Sequence, residues 1–329
     1  MMRYANTLTR LCLLLLAATP ALAQKQQLNL ALAGAQSAAF VYGGGLADYL
    51  SKASPKVNVS AQASQGFSAN VRLVNSGSVA LGFSAAPTFY EALRGIGEFK
   101  EKHPNIRAVH PIWPAELHCV AFRDKGIRSE SDLAGKRISV GLKATSGAVV
   151  AETLLKEAGL AEKTTPVYLN PSQSVDAMRD GKIDVMCANS GGPYPAFVGL
   201  TGGGGLTLIP WKNETLKKAA AATPGRSVKT IPKSTYAWQT EDAPSVGHWS
   251  FMFANKDVPD SVIQELLSVW LTKQARAHLL KVGDGWKELP NEPLVEVLQA
   301  IGLPLHAGAV RYWTQRGVKI PEIKNAAQL

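Results

Sequence analysis

Short polar side chains stand where apolar, strand-like runs give way to helix-like ones. Ser37 follows "LNLALAG" (28–34), Ser64 and Ser68 follow "VNVSAQ" (57–62), and Thr145, Ser146 and Gly147 follow "RISVG" (137–141). Asn189, Ser190 and Gly191 follow "IDVMC" (183–187), and Phe40, Tyr42 and Phe67 place aromatic surface in the same loops. The first N–H groups of a helix have no partner within it, and hydroxyls beside them add donors. Such loops can therefore hold a carboxylate without any catalytic apparatus.

Residue sets for catalysis are missing. "GFSAN" (66–70) comes nearest to G-x-S-x-G but has Asn in place of the second glycine. The six histidines, at 103, 110, 118, 248, 278 and 306, show no pair at zinc-ligand spacing, and H-E-x-x-H is absent. No G-x-x-x-x-G-K-[ST] loop occurs, and "GGGLADYL" (43–50) lacks the dinucleotide fingerprint. The expectation is a binding protein with no metal and no cofactor, not an enzyme.

A repeated unit must position these loops. "NVRLVNSGSVALGFS" (70–84) lies over "SVDAMRDGKIDVMCA" (174–188) without a gap, each a helix-like stretch ending in glycine, Gly77 or Gly181, before an apolar strand. Glycine suits the left-handed position just past a helix end. Upstream, "LNLALAG" and "RISVG" each lead through a small-residue loop into a helical segment, and "VNVSAQ" and "PVYLN" (166–170) supply a further strand apiece. Each copy reads β-α-β-α-β, the pattern of an open, mostly parallel sheet with flanking helices. Ligands of such sheets gather beyond the carboxyl ends of the strands. The loops at 35–40, 63–68, 84–90, 142–147, 170–174 and 188–193 are the ones to watch.

Arg3 and Arg10, the apolar run "LCLLLLAA" and the exit "ALA" before Gln24 describe a cleaved secretory signal over 1–23. About 306 residues remain, more than one core usually serves, so two lobes are expected. Removing Arg3 and Arg10 takes the formal net charge from +10 to +8, without a Lys/Arg-dense run. That balance fits a solvated surface and an acidic small ligand, and export argues against nucleic acid. Cys119 and Cys187 each sit in an apolar strand-like run and read as separate buried thiols.

The tail carries a resemblance. "PLHAGAVRYWTQRGVKIP" (304–321), "DLAGKRISVG" (132–141), "DGKIDVMCANSGGP" (180–193) and "IPKSTYAWQTEDAPSVG" (231–247) together resemble the TAXI-type solute receptors of TRAP transporters. The resemblance implies a two-lobed α/β fold of the type II periplasmic binding protein kind. It implies a first lobe of 24–125 completed by 213–329, with a second lobe of 126–212 inserted. It also implies a monomer in the periplasm, a small organic anion as ligand and a TRAP-type membrane permease as partner. A ligand sensor signalling to a membrane kinase is the alternative. In that family the tail is a terminal helix, so His306, Arg311 and Tyr312 are expected to pack and cap.

Gly66 and Phe67 stand where the family has Gly-Ser, while Asn70 and Tyr90 match it. Ala85 and Pro87 replace polar family residues, and "GAQSAAFV" (34–41) lacks the family's glycine pair and tyrosines. The cleft should accordingly be more apolar than that of glutamate-binding relatives, suiting a ligand with an apolar or aromatic body and one carboxylate.

Overall fold

The computed structural model describes residues 25–329 apart from Gln36, Ala144 and Thr201, with Ser146 described in its backbone alone. The expected signal segment lies outside the described residues. Among these residues no helix is long and apolar enough to cross a membrane.

The first copy of the repeat is β1 (Gln26–Ala31), α1 (Ala38–Ala53), β2 (Val57–Gln62), α2 (Phe67–Asn75) and β3 (Leu81–Ala85), followed by α3 (Ala86–Arg94). After the long β4 (Ile106–Phe122) comes the second copy. It comprises β5 (Arg137–Ser139), α4 (Ser146–Glu157), β6 (Thr165–Val167), α5 (Pro171–Arg179) and β7 (Val185–Ser190). The two copies share one pairing scheme. β1 lies between β2 and β3, and β5 between β6 and β7, all parallel, with Leu30 opposite Leu81 and Ile138 opposite Val185. Gly77 and Gly181 hold the left-handed conformation, at φ +79° and +67°, that lets each helix stop one short turn before its strand.

The remaining elements are α6 (Pro195–Val198), β8 (Leu206–Leu208), α7 (Asn213–Ala221), β9 (Arg226–Ile231) and β10 (Ala243–Asn255). The helices α8 (Asp260–Trp270), α9 (Lys273–Val282), α10 (Val295–Ile301) and α11 (Ala307–Thr314) follow. Instead of two separate sheets, the strands form one curled sheet in the order β2-β1-β3-β10-β4-β7-β5-β6, with β8 on β4 and β9 on β10. The cause is the length of β4 and β10. At 17 residues β4 spans on the order of 55 Å, enough to traverse two layers of packed helices.

The hydrophobic core changes hands along these two strands. One cluster draws on residues from Leu28 to Trp113 and from Phe251 to Ala327. Two others draw on residues between Leu117 and Val246. Leu216, Ala219, Ile231 and Val246, from the stretch expected to complete the first body, pack in these latter clusters. Between the clusters lie Pro114, Ala115 and Glu116 of β4 opposite Trp249, His248 and Gly247 of β10. Pro114 has no N–H for the ladder, and the register shifts between Trp249 and Phe251. Gly247 is required there, because a Cβ would collide with the carbonyl oxygen of Ala115.

The two cysteines are not separate thiols. β4 and β7 are antiparallel neighbours with Cys119 directly opposite Cys187, and the pair forms a disulfide across 68 positions of sequence. Each run alone gives no sign that the two strands adjoin.

The tail packs and caps. Buried His306 accepts the N–H of Gly308 at 3.1 Å, Arg311 pairs with Asp260 at 3.1 Å, and Tyr312 and Trp313 enter the first cluster.

Candidate functional site

The strand crossing forms the floor of a cleft of about 400 Å³, bordered by Trp113 and Ala115 of β4 and by His248 and Ser250 of β10. Helix starts from both repeats make its walls. Ser37, Ala38 and Ala39 come from α1 and Phe67 from α2. From the other side come Thr145 and Gly147 of α4, Pro171 and Ser174 of α5, and Asn189, Ser190 and Gly191 at the end of β7. The positive ends of these helix dipoles therefore converge on one small volume.

Ser37 and Thr145 hold equivalent posts on the two walls. Each donates its backbone N–H three residues back, to Gly34 at 2.8 Å and Leu142 at 3.1 Å. Each hydroxyl accepts an N–H three residues ahead, from Phe40 at 3.1 Å and Ala148 at 3.3 Å. The N–H of Thr145, expected to be free for an anion, is thus already donated to a carbonyl of its own turn. Lys143, the nearest cation in sequence to this wall, is exposed and lies 5.8 Å from the ring of Tyr168, outside the cleft lining.

Of the residues expected at the site, Ser37, Phe67, Thr145, Gly147, Asn189, Ser190 and Gly191 border the cleft. The others stand behind it. Phe40 packs half-buried on the first cluster. Tyr42 meets Trp113 edge-on at 5.6 Å and fits against Gly283 and Gly285, where any Cβ would strike its ring. Ser64 accepts the N–H of Gly66 at 3.1 Å, and Gly66 opens α2 at φ +114°. Asn70 is fully buried; its amide donates to the carbonyls of Leu32 and Phe83, tying the ends of β1 and β3 together. Tyr90 lies under the guanidinium of Arg94 at 3.8 Å. These six residues shape the first wall and do not line the cleft. Ser146 opens α4 through its backbone.

Among the described residues lining the cleft there is no Asp, Glu, Lys or Arg. Burial, aided by Arg226 and Lys229, pushes the pKa of His248 down to about 3, so its imidazole is neutral. Charged groups gather instead in an adjoining hollow of about 630 Å³, which shares Phe67 and Thr145 with the cleft. There Glu98 accepts the hydroxyl of Ser68 and lies 3.6 Å from Arg72.

A buried hydrogen-bonded chain holds the loop after β7. His118 shares Nε2 with the carbonyl of Ser190 at 3.1 Å and Nδ1 with the hydroxyl of Tyr236 at 2.9 Å. That hydroxyl also accepts the N–H of Tyr194 at 3.1 Å. A carbonyl can only accept, so Nε2 carries the proton and Nδ1 takes the hydroxyl's. Burial lowers the pKa of His118 to about 4, keeping this neutral tautomer in place.

Trp113, His248 and Ser250 escaped the reading of loops because they lie within long strands. The available signal was polar His248 and Ser250 spaced by two in the otherwise apolar "VGHWSFMF" (246–253).

Solved structures share the fold. The alkanesulfonate-binding protein SsuA from Xanthomonas axonopodis pv. citri, bound to MOPS, matches at 18% identity and TM-score 0.50, covering 93% of this chain and 98% of that one. MatC from Rhodopseudomonas palustris with bound malate matches at 12% identity and TM-score 0.51, covering 87% and 97%. A probable amino-acid ABC transporter extracellular-binding protein, ytmK from Bacillus subtilis, matches at 13% identity and TM-score 0.50, covering 80% and 98%. At these identities the likeness establishes the two-lobed periplasmic binding protein fold. The model of the NMT1-like family matches residues 30–317, and the chain belongs to that family.

Proposed function

We propose that the protein is a periplasmic solute-binding protein that takes a small organic anion, with an apolar or aromatic body and one carboxylate, into the cleft between two lobes. It then delivers that anion to a TRAP-type permease. One observation carries the reading. Helix starts from both copies of the repeat converge on a cavity of about 400 Å³ whose described lining has no charged side chain. Such a wall favours a single negative charge through backbone N–H groups and leaves the rest of the ligand in apolar contact.

In this reading the lobes are built around the separate core clusters, and β4 and β10 act as the hinge strands. The disulfide suits an oxidising compartment outside the cytoplasm. The N-terminal apolar run suits export. Choice of a TRAP-type partner rests on the resemblance of "PLHAGAVRYWTQRG" (304–317).

Calorimetric titration of the chain from Gln24 onward with mono-, di- and amino-carboxylates and sulfonates tests the proposal. One-to-one binding of at least one monocarboxylate is expected, with a matching rise in melting temperature. A panel in which no acid binds would overturn it. For the partner, vesicles carrying a TRAP-type permease from the same genome should accumulate the ligand only when this protein is supplied.

A further inference from the structure

Two buried polar side chains in the cleft floor carry an atom that nothing in the described fold pairs. Ser250 is 1% exposed and its hydroxyl has no hydrogen-bond partner. His248 is 2% exposed and its Nδ1 is likewise without a partner. Both border the cleft. Ser250 sits at the register shift between Trp249 and Phe251, an irregularity that re-aims a side chain beside a site. On the adjacent wall Asn189 Oδ1 is a third buried polar atom without a partner. Buried polar groups are almost always paired, so three orphans around one cavity point to a ligand that pairs them.

We infer that His248 and Ser250, with Asn189, form an uncharged polar subsite that reads a hydroxyl or carbonyl group on the body of the ligand. The inference rests on the anion-binding reading of the same cleft and narrows its ligand class. A neutral imidazole has one donor and one acceptor, and a serine hydroxyl can act as either. They suit a hydroxyl, which gives and takes neutral hydrogen bonds, or a keto oxygen, which takes them. No described lining residue offers a carboxylate to an ammonium group, or a cation to a second carboxylate. The ligand is therefore a hydroxy- or keto-substituted monocarboxylate. An amino acid would bury its ammonium without a counter-charge, and a dicarboxylate its second charge.

The test is calorimetry with matched acids: 4-hydroxybenzoate against benzoate, 4-hydroxybutyrate against butyrate, and tyrosine and malate as the excluded classes. The hydroxylated member of at least one pair should bind about five- to tenfold more tightly than its plain partner, the effect of one neutral hydrogen bond. Ser250→Ala should bring the members of that pair to within about twofold, with the plain acid's affinity and the variant's melting temperature unchanged or higher. A serine with a merely structural role would not discriminate within a pair. Equal binding within both pairs, a preference that survives Ser250→Ala, or tighter binding of tyrosine or malate would overturn this inference alone. Failure of every acid to bind would remove the anion reading as well.

Discussion

The hydroxyl of Tyr236 lies 2.9 Å from Nδ1 of His118 and accepts the N–H of Tyr194, so it holds the loop after β7 twice, directly at Tyr194 and through the imidazole at the carbonyl of Ser190. Tyr236→Phe keeps the ring stacked on Trp238, 4.6 Å away and 11° from parallel, but removes the hydroxyl. Nδ1 of His118 and the N–H of Tyr194 then lose their partner. Stability should fall by about 1–3 kcal/mol, the cost of stranding buried polar groups. Ligand affinity should fall with it, because Ser190 and Tyr194 border the cavity. Urea unfolding and calorimetry check both; an unchanged variant would show that the loop holds itself.

Stability should depend on pH with a definite sign. Burial lowers the pKa of His110 to about 3, of His118 to about 4 and of His248 to about 3. The unfolded chain takes up these protons near pH 6.5, so between that value and about 4 it binds more protons than the folded chain. The contribution is complete above pH 6.5 and is lost as pH falls. Glu116 acts oppositely. Burial, then the nearby Glu288, raises its pKa to about 7, against a smaller lowering by Lys229. The folded state holds that proton between about pH 4.5 and 7, and its stabilisation is lost as pH rises through 7. Three groups outweigh one, so melting temperature should climb from pH 4.5 to 6.5. Glu116→Gln should gain more over the native protein at pH 8 than at pH 5. A difference that does not vary with pH would show that Glu116 is not the titrating group.

Opening the disulfide should cost about 2–4 kcal/mol, as expected for a crosslink that closes a long loop. The paired change Cys119→Ala and Cys187→Ala keeps the ladder between β4 and β7, so the fold and the cleft should persist. Denaturant titration of that double variant measures the cost. A loss below about 1 kcal/mol would mean that strand pairing alone holds this corner.

The repeat was legible because each copy carries its own punctuation. Gly77 and Gly181 mark helix ends, and apolar runs of the right length follow each. The cleft walls were legible for the same reason, since Ser37 and Thr145 sit where a strand ends and a helix begins. The floor was not. Pro111 and Pro114 interrupt the strand pattern of β4, and only tertiary pairing with β10 makes it continuous from the first cluster to the other two. Trp113, His248 and Ser250 became cleft residues through that pairing. Asn70 and Tyr42 show the reverse case: their types suit ligand contact, yet strand ends and a neighbouring tryptophan claim them first.

The last prediction concerns Gly247 of β10, where the Ala115 carbonyl of β4 leaves no room for a side chain. It pairs with Glu116 of β4 and with Ser227 of β9, so its backbone is fixed from both sides. An added methyl would meet the carbonyl of Ala115 on one side and lie 3.0 Å from Cγ of Lys229 on the other. Lys229 can move, because it is a long side chain, but the carbonyl belongs to the ladder and cannot. Gly247→Ala should therefore push β4 and β10 apart at the crossing and destabilise the protein by about 1–3 kcal/mol, the usual cost of overpacking a tight site. His248 and Ser250 follow directly on the same strand, so ligand affinity should weaken in parallel. Gly44 supplies the control, since a Cβ there meets nothing within 4 Å. Its replacement by alanine inside α1 should be neutral or stabilising. If Gly247→Ala melts and binds like the Gly44→Ala control, the crossing has slack and the close approach of the two strands is not required.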